Sequence, residues 1–290
     1  MGALLTVARL ELILQWRGRG LWAAALIIAL LGALQASMVR QTPWGVWNHF
    51  VFIAMLVTLL LAFITGGQIR RDGEHRLDGV VLSTPVSTTA YVLGKYLAAV
   101  AALLGLAAIG LLAALLTDRF DDWPDPPFFL GESYFPALGG RPYLIGWALL
   151  VVVPVLFGAA LTLAVGTLIP GGRVASSLSV LALWLLLPLF VSNWPAALDV
   201  TGLGAQSRLG AHYINPAAAD LASEETRRVG YDPRRLPEEI KMRIVQIVRE
   251  DVPPRLPAVF LWNRALFLSL TVALVGILIA GVAGRRQGNT

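Results

Sequence analysis

The chain has 290 residues, 57% of them hydrophobic and only 14% charged; that is roughly half the charge of a soluble domain, too little to coat a water-facing surface of this size. It has no Cys, which excludes disulfides, thiolate metal sites and Cys nucleophiles. The formal charge of +5 reads here through its distribution rather than as a signal for nucleic acid, and no nucleic-acid partner is expected.

Taken in chain order, residues 1–20 are amphipathic. Leu5, Ala8, Leu12 and Trp16 recur at helical spacing, with Arg9, Glu11 and Gln15 beside them and Arg17 and Arg19 following. This spacing predicts an interfacial helix; an early turn of the first span is the other reading. The first apolar span is expected at 21–38. Its long charged lead-in, without a clean small-x-small site, counts against a secretory signal. Trp44 and Trp47 read as interfacial aromatics, and the second span is expected at 50–68.

Residues 70–96 (RRDGEHRLDGVVLSTPVSTTAYVLGKY) hold a short helix candidate. Asp72 or Gly73 caps it. Glu74, Leu77, Asp78, Val81 and Leu82 fall at i, i+3, i+4, i+7 and i+8 and share a face that mixes carboxylates with apolar side chains. Thr84 precedes Pro85, which ends the helix, and Ser87 or Thr88 caps the next one. The product is a helix-break-helix elbow. The third span follows at 92–116, with Lys95 at its edge placed to snorkel to the interface. In it Gly94, Ala98 and Ala102 put small residues four apart, suited to close packing either within the chain or between two copies.

Residues 117–142 are acidic and rich in Pro and aromatics, a polar loop. The fourth span is expected at 143–169 with a kink at Pro154, and PGGR at 170–173 is a tight turn. The fifth span is expected at 174–191, where Ser176, Ser177 and Ser179 suit helix–helix hydrogen bonds. The segment 192–257 is the sizeable polar one, with a short amphipathic helix beginning at Pro237. The sixth span is expected at 259–282 and closes on Arg285 and Arg286. The whole is read as one all-α transmembrane domain of about six spans over 1–290. Arg17, Arg19, Lys95, Arg285 and Arg286 serve as interfacial anchors, and the positive-inside rule puts both termini in the cytoplasm and 192–257 outside.

No catalytic constellation emerges. His49, His75 and His212 lie far apart, HExxH is absent, and no metal site is expected. Gly94-Lys95 is followed by Tyr96 and lacks the upstream Gly of a phosphate-binding loop, so the chain is not expected to hydrolyse ATP. The spans carry no ionisable group at mid-depth: His49 and Arg264 sit near outer ends and Lys95 near an inner one. That counts against a proton- or sodium-coupled carrier.

Glu74, the apolar run 80–82, Ser83-Thr84-Pro85, Ser87 and Gly94-Lys95 together resemble the pattern of type-2 ABC transporter permeases. The N-terminal amphipathic helix, the six spans and the entry to the last span through Trp262-Asn263-Arg264 extend the resemblance over most of the chain. The resemblance implies a non-catalytic export permease, multi-pass in a bacterial or archaeal plasma membrane. It would work with an ABC ATPase subunit, which holds the ATP and Mg, and with a second permease copy or paralogue. It implies that Glu74, Leu77, Asp78, Val81, Leu82 and Pro85 belong to a coupling helix docked on the ATPase. Two features depart from the family: Arg76-Leu77 stands where many members have Gly-Thr, and the 192–257 segment is long. The alternative from the residues alone is an assembly or sensing protein that acts through 192–257.

Overall fold

The computed structural model describes residues 2–38, 43–64, 86–119, 146–168 and 258–288, with a few single positions between them, Asp199 among them. The described residues form α1 (Gly2–Arg17), α2 (Arg19–Met38), α3 (Pro43–Ile64), α4 (Thr88–Arg119), a π-helical turn (Trp147–Val152) that continues into α5 (Val153–Leu168), and α6 (Ala258–Gly288). No strand occurs among them.

Among the described residues, four stretches are long and apolar enough to cross a membrane: Arg19–Ala36, Thr88–Ala113, Trp147–Thr167 and Phe260–Gly284. A fifth, Asn48–Leu61 in α3, is apolar but shorter. This is the make-up of a helical membrane protein. Of the six expected spans, the one at 174–191 lies mostly outside the described residues, as does the end of the one at 50–68.

Helix α4 is the hub, packed against α1, α2, α3, α5 and α6. Val92, Leu103 and Ala107 of α4 meet a core that includes Phe50, Val57 and Leu61 of α3 and Leu150 and Val155 of the fourth span. In α2 the large side chains Trp22, Leu26, Leu30 and Leu34 point outward. Its inward stripe is Ala24, Ile28, Gly32 and Ala36. Apart from Ile28 the inward residues are small and the outward ones large, the arrangement expected where the surroundings are lipid and helices gain from close backbone approach. A Cβ on Gly110 would fall 2.8–2.9 Å from three side-chain atoms of Ile53, so α4 meets α3 there only because the side chain is missing. The hydroxyls of Thr58, Thr162, Thr167 and Thr271 donate to carbonyls four residues earlier at 2.7–2.8 Å, which satisfies them without water.

Helix α1 is present where expected. Leu5 and Trp16 point outward and Leu12 is half-buried, while Ala8, Glu11 and Gln15 are buried. In an apolar surrounding the polar side chains gain by turning toward α4. Gly18 separates α1 from α2, and its N–H donates to the Gln15 carbonyl at 2.9 Å. Trp22 Nε1 donates to the Trp16 carbonyl at 2.9 Å, and the two rings meet edge to face 4.7 Å apart, fixing the elbow.

The expected irregularity at Pro154 takes the form of the π turn immediately before it. Proline has no N–H to offer the carbonyl four residues back, and its ring crowds that carbonyl. A widened turn relieves the crowding without breaking the helix. At the start of α4, Ser87 is the cap: its Oγ accepts from the Ala90 N–H at 3.2 Å.

Candidate functional site

Glu74, Leu77, Asp78, Val81, Leu82 and Pro85 lie outside the described residues, as do Ser176, Ser177 and His212. Arg17 and Arg19 are exposed on either side of Gly18, and Arg285 and Arg286 fall in the last turns of α6. Ala98 and Ala102 are buried along α4. The backbone of Gly94 meets α1, where a Cβ would lie 2.7 Å from Val7 Cβ and Cγ1 and 3.1 Å from the Leu4 carbonyl oxygen.

Lys95 does not extend outward as an interfacial anchor. It is 1% exposed and its ammonium forms a buried ion pair with Glu11 of α1. The Tyr91 ring lies one turn away, its centroid 5.2 Å from Nζ. A single buried cation needs a partner more than it needs water at the end of a stretched stem. Glu11 is the sole acidic residue ahead of Asp72, and it is the partner that Lys95 takes. Gln15, one turn further along the same face, is buried with both side-chain polar atoms lacking hydrogen-bond partners. Sequence reasoning missed this junction. A lone acid in an apolar lead-in and a lysine inside a span were its signal.

A second polar junction lies about 22 Å along α4, fifteen residues at 1.5 Å each. His49 Nδ1 is 2.5 Å from Gln35 Oε1 and Nε2 is 3.1 Å from the Gly110 carbonyl. Nε2 donates to the carbonyl. Nδ1 then accepts from the Gln35 amide once its O and N are exchanged, or donates if the ring is charged. Gln35 is near the end of α2, His49 near the start of α3 and Gly110 late in α4, so the three helices alternate in direction. We predict that His49→Phe, which strands Gln35, lowers stability by about 1–3 kcal/mol, and that Gln35→Leu in the same chain restores much of it. Unfolding in mild detergent measures both.

A third cluster sits at the start of α6. Arg264 is buried with its guanidinium 4.4 Å from the Phe260 ring centroid, and buried Asp199 acts electrostatically on it. Asp199 belongs to the segment expected outside, so that segment reaches back into the helices at this residue. On α4, Tyr96 donates its hydroxyl to the Leu156 carbonyl at 3.2 Å.

Each of these clusters joins separate parts of the chain and helps fix the helices against one another. Among the described residues no three His, Asp or Glu side chains gather as metal ligands do. No protein-family model and no curated protein matches the chain.

Proposed function

We propose that the chain is the membrane-spanning permease subunit of an ABC exporter, with ATP hydrolysed by a separate nucleotide-binding subunit. The reading rests on the run from Glu74 to Lys95, whose elbow and closing Gly-Lys resemble the type-2 permeases. One structural observation supports it. Gly94 and Lys95, the end of that run, are the residues on which α1 docks. A push delivered to the cytoplasmic elbow would therefore move α1 and α4 together instead of bending the tip of one helix. Glu74 and Asp78 would meet basic groups of the ATPase, and Leu77, Val81 and Leu82 would fill its groove, with charge-assisted contacts of about 1.5–3 kcal/mol each. Both termini would be cytoplasmic, and two permease copies or paralogues would form the pathway.

The second reading, assembly or sensing through 192–257, draws support from Asp199, whose burial beside Arg264 ties that segment to a membrane helix. One experiment separates the two. The tagged full chain is purified in mild detergent with the ATPase encoded beside it, as wild type, Glu74→Arg, Leu82→Asp, and a truncation of the segment beyond Asp199. Co-purification that survives the truncation and is lost, at least about tenfold, with either substitution is expected. Failure of any ATPase to associate, whatever the salt and nucleotide, sinks the permease reading.

A further inference from the structure

We infer that the outward face of α1 is a binding surface for anionic lipid headgroups of the surrounding leaflet. The inference rests on reading the helices as membrane-embedded. Leu5, Leu10, Ile13, Leu14 and Trp16 are all exposed on α1, an apolar patch that a helix in water does not tolerate. Arg9 and Arg17 are exposed with them, and Arg19 follows directly after the elbow. At 100° per residue Arg9, Ile13, Trp16 and Arg17 fall on one half of the helix, opposite Glu11 and Gln15. Long basic side chains can lay their stems along this apolar surface and reach the headgroups, and Trp16 suits the same membrane–water boundary.

The ion pair with Lys95 is what makes this face uniformly cationic. Glu11 is the sole acid ahead of Asp72, and it is turned inward and neutralised. No acidic side chain of α1 or α2 is left to answer the three arginines. A second copy of the chain is a poor occupant, because a two-fold contact through this face would set Arg9 and Arg17 against their own equivalents. Phosphate-bearing lipids supply the missing charge. The guanidinium fork takes a phosphate through two parallel hydrogen bonds, while the acyl chains cover the leucines.

The test uses the full chain reconstituted into vesicles of equal parts phosphatidylcholine and phosphatidylglycerol. After an alkaline carbonate wash the chain is extracted in mild detergent, and its retained lipid is measured by mass spectrometry. Wild type is expected to retain phosphatidylglycerol over phosphatidylcholine by at least about fivefold. Arg9→Gln/Arg17→Gln/Arg19→Gln is expected to bring the ratio to parity, and the corresponding triple Lys variant to keep most of the enrichment. Parity in a wild-type chain that stays with the vesicles overturns this inference alone. So does full enrichment in the Gln variant, or a change in particle mass with no change in lipid ratio, which would assign the face to a protein. A chain washed out by carbonate overturns the membrane reading and this inference with it.

Discussion

Lys95→Met, with Glu11 left in place, is expected to cost about 3–5 kcal/mol, and Glu11→Leu with Lys95 in place about the same. Each leaves one charge buried between α1 and α4, where the pair is nearly inaccessible. The combined variant tells more. Two apolar side chains of similar volume fill the space of the pair without a desolvation cost, so Glu11→Leu/Lys95→Met is expected to fall within about 1 kcal/mol of the parent. Reversible unfolding of all four chains in detergent gives the coupling energy directly. Simple addition of the two single losses would mean that the pair does not hold α1 in place.

Gly94→Ala is expected to lower stability by about 1–3 kcal/mol, although it adds one methyl group. That carbon would lie 2.7 Å from Val7 Cβ and Cγ1, and Val7 Cβ cannot be moved by rotating a side chain. The Leu4 carbonyl at 3.1 Å closes the other side. Helix α1 must therefore back away, and the amides of α1 should exchange with solvent faster while those of α5 do not. Gly105, on the same helix, supplies the control. Nothing lies within 4 Å of its added Cβ, so Gly105→Ala is expected to be neutral or to stabilise by about 1 kcal/mol through helix propensity. Gly94→Ala and Lys95→Met act on one docking contact, so their joint cost should be smaller than their sum.

Much of the helical framework is legible in the sequence, because long apolar runs leave little alternative to helix once water is absent. The expected spans at 21–38, 92–116, 143–169 and 259–282 fall on α2, α4, the π turn with α5, and α6. The boundary near 50 is less legible. Helix α3 begins at Pro43, well ahead of the apolar run, and its polar His49 is held by Gln35 and the Gly110 carbonyl. Those partners come from other helices, and no local pattern announces them. The inward turn of Glu11 and Gln15 in α1 is not legible either, because helical periodicity locates a stripe but not what lies opposite it. The Glu11–Lys95 pair spans 84 positions, so only the scarcity of charge hints at it. The residues at 74–85 expected to form a coupling helix lie outside the described residues, and that proposal stands on the motif alone.

The π turn at Trp147–Val152 has a consequence for how the fourth span is put together. A turn wider than the α-helix carries a surplus residue, which rotates the upstream half of the span by roughly 100° against the downstream half. Gly146, on the upstream side, gives its surface to Phe50 of α3, where a Cβ would fall 2.8 Å from the ring. On the downstream side the Leu156 carbonyl takes the Tyr96 hydroxyl of α4, and Phe157 meets Phe267 of α6 edge to face at 4.9 Å. The span is in effect two helical segments on one axis, joined by the widened turn that precedes Pro154.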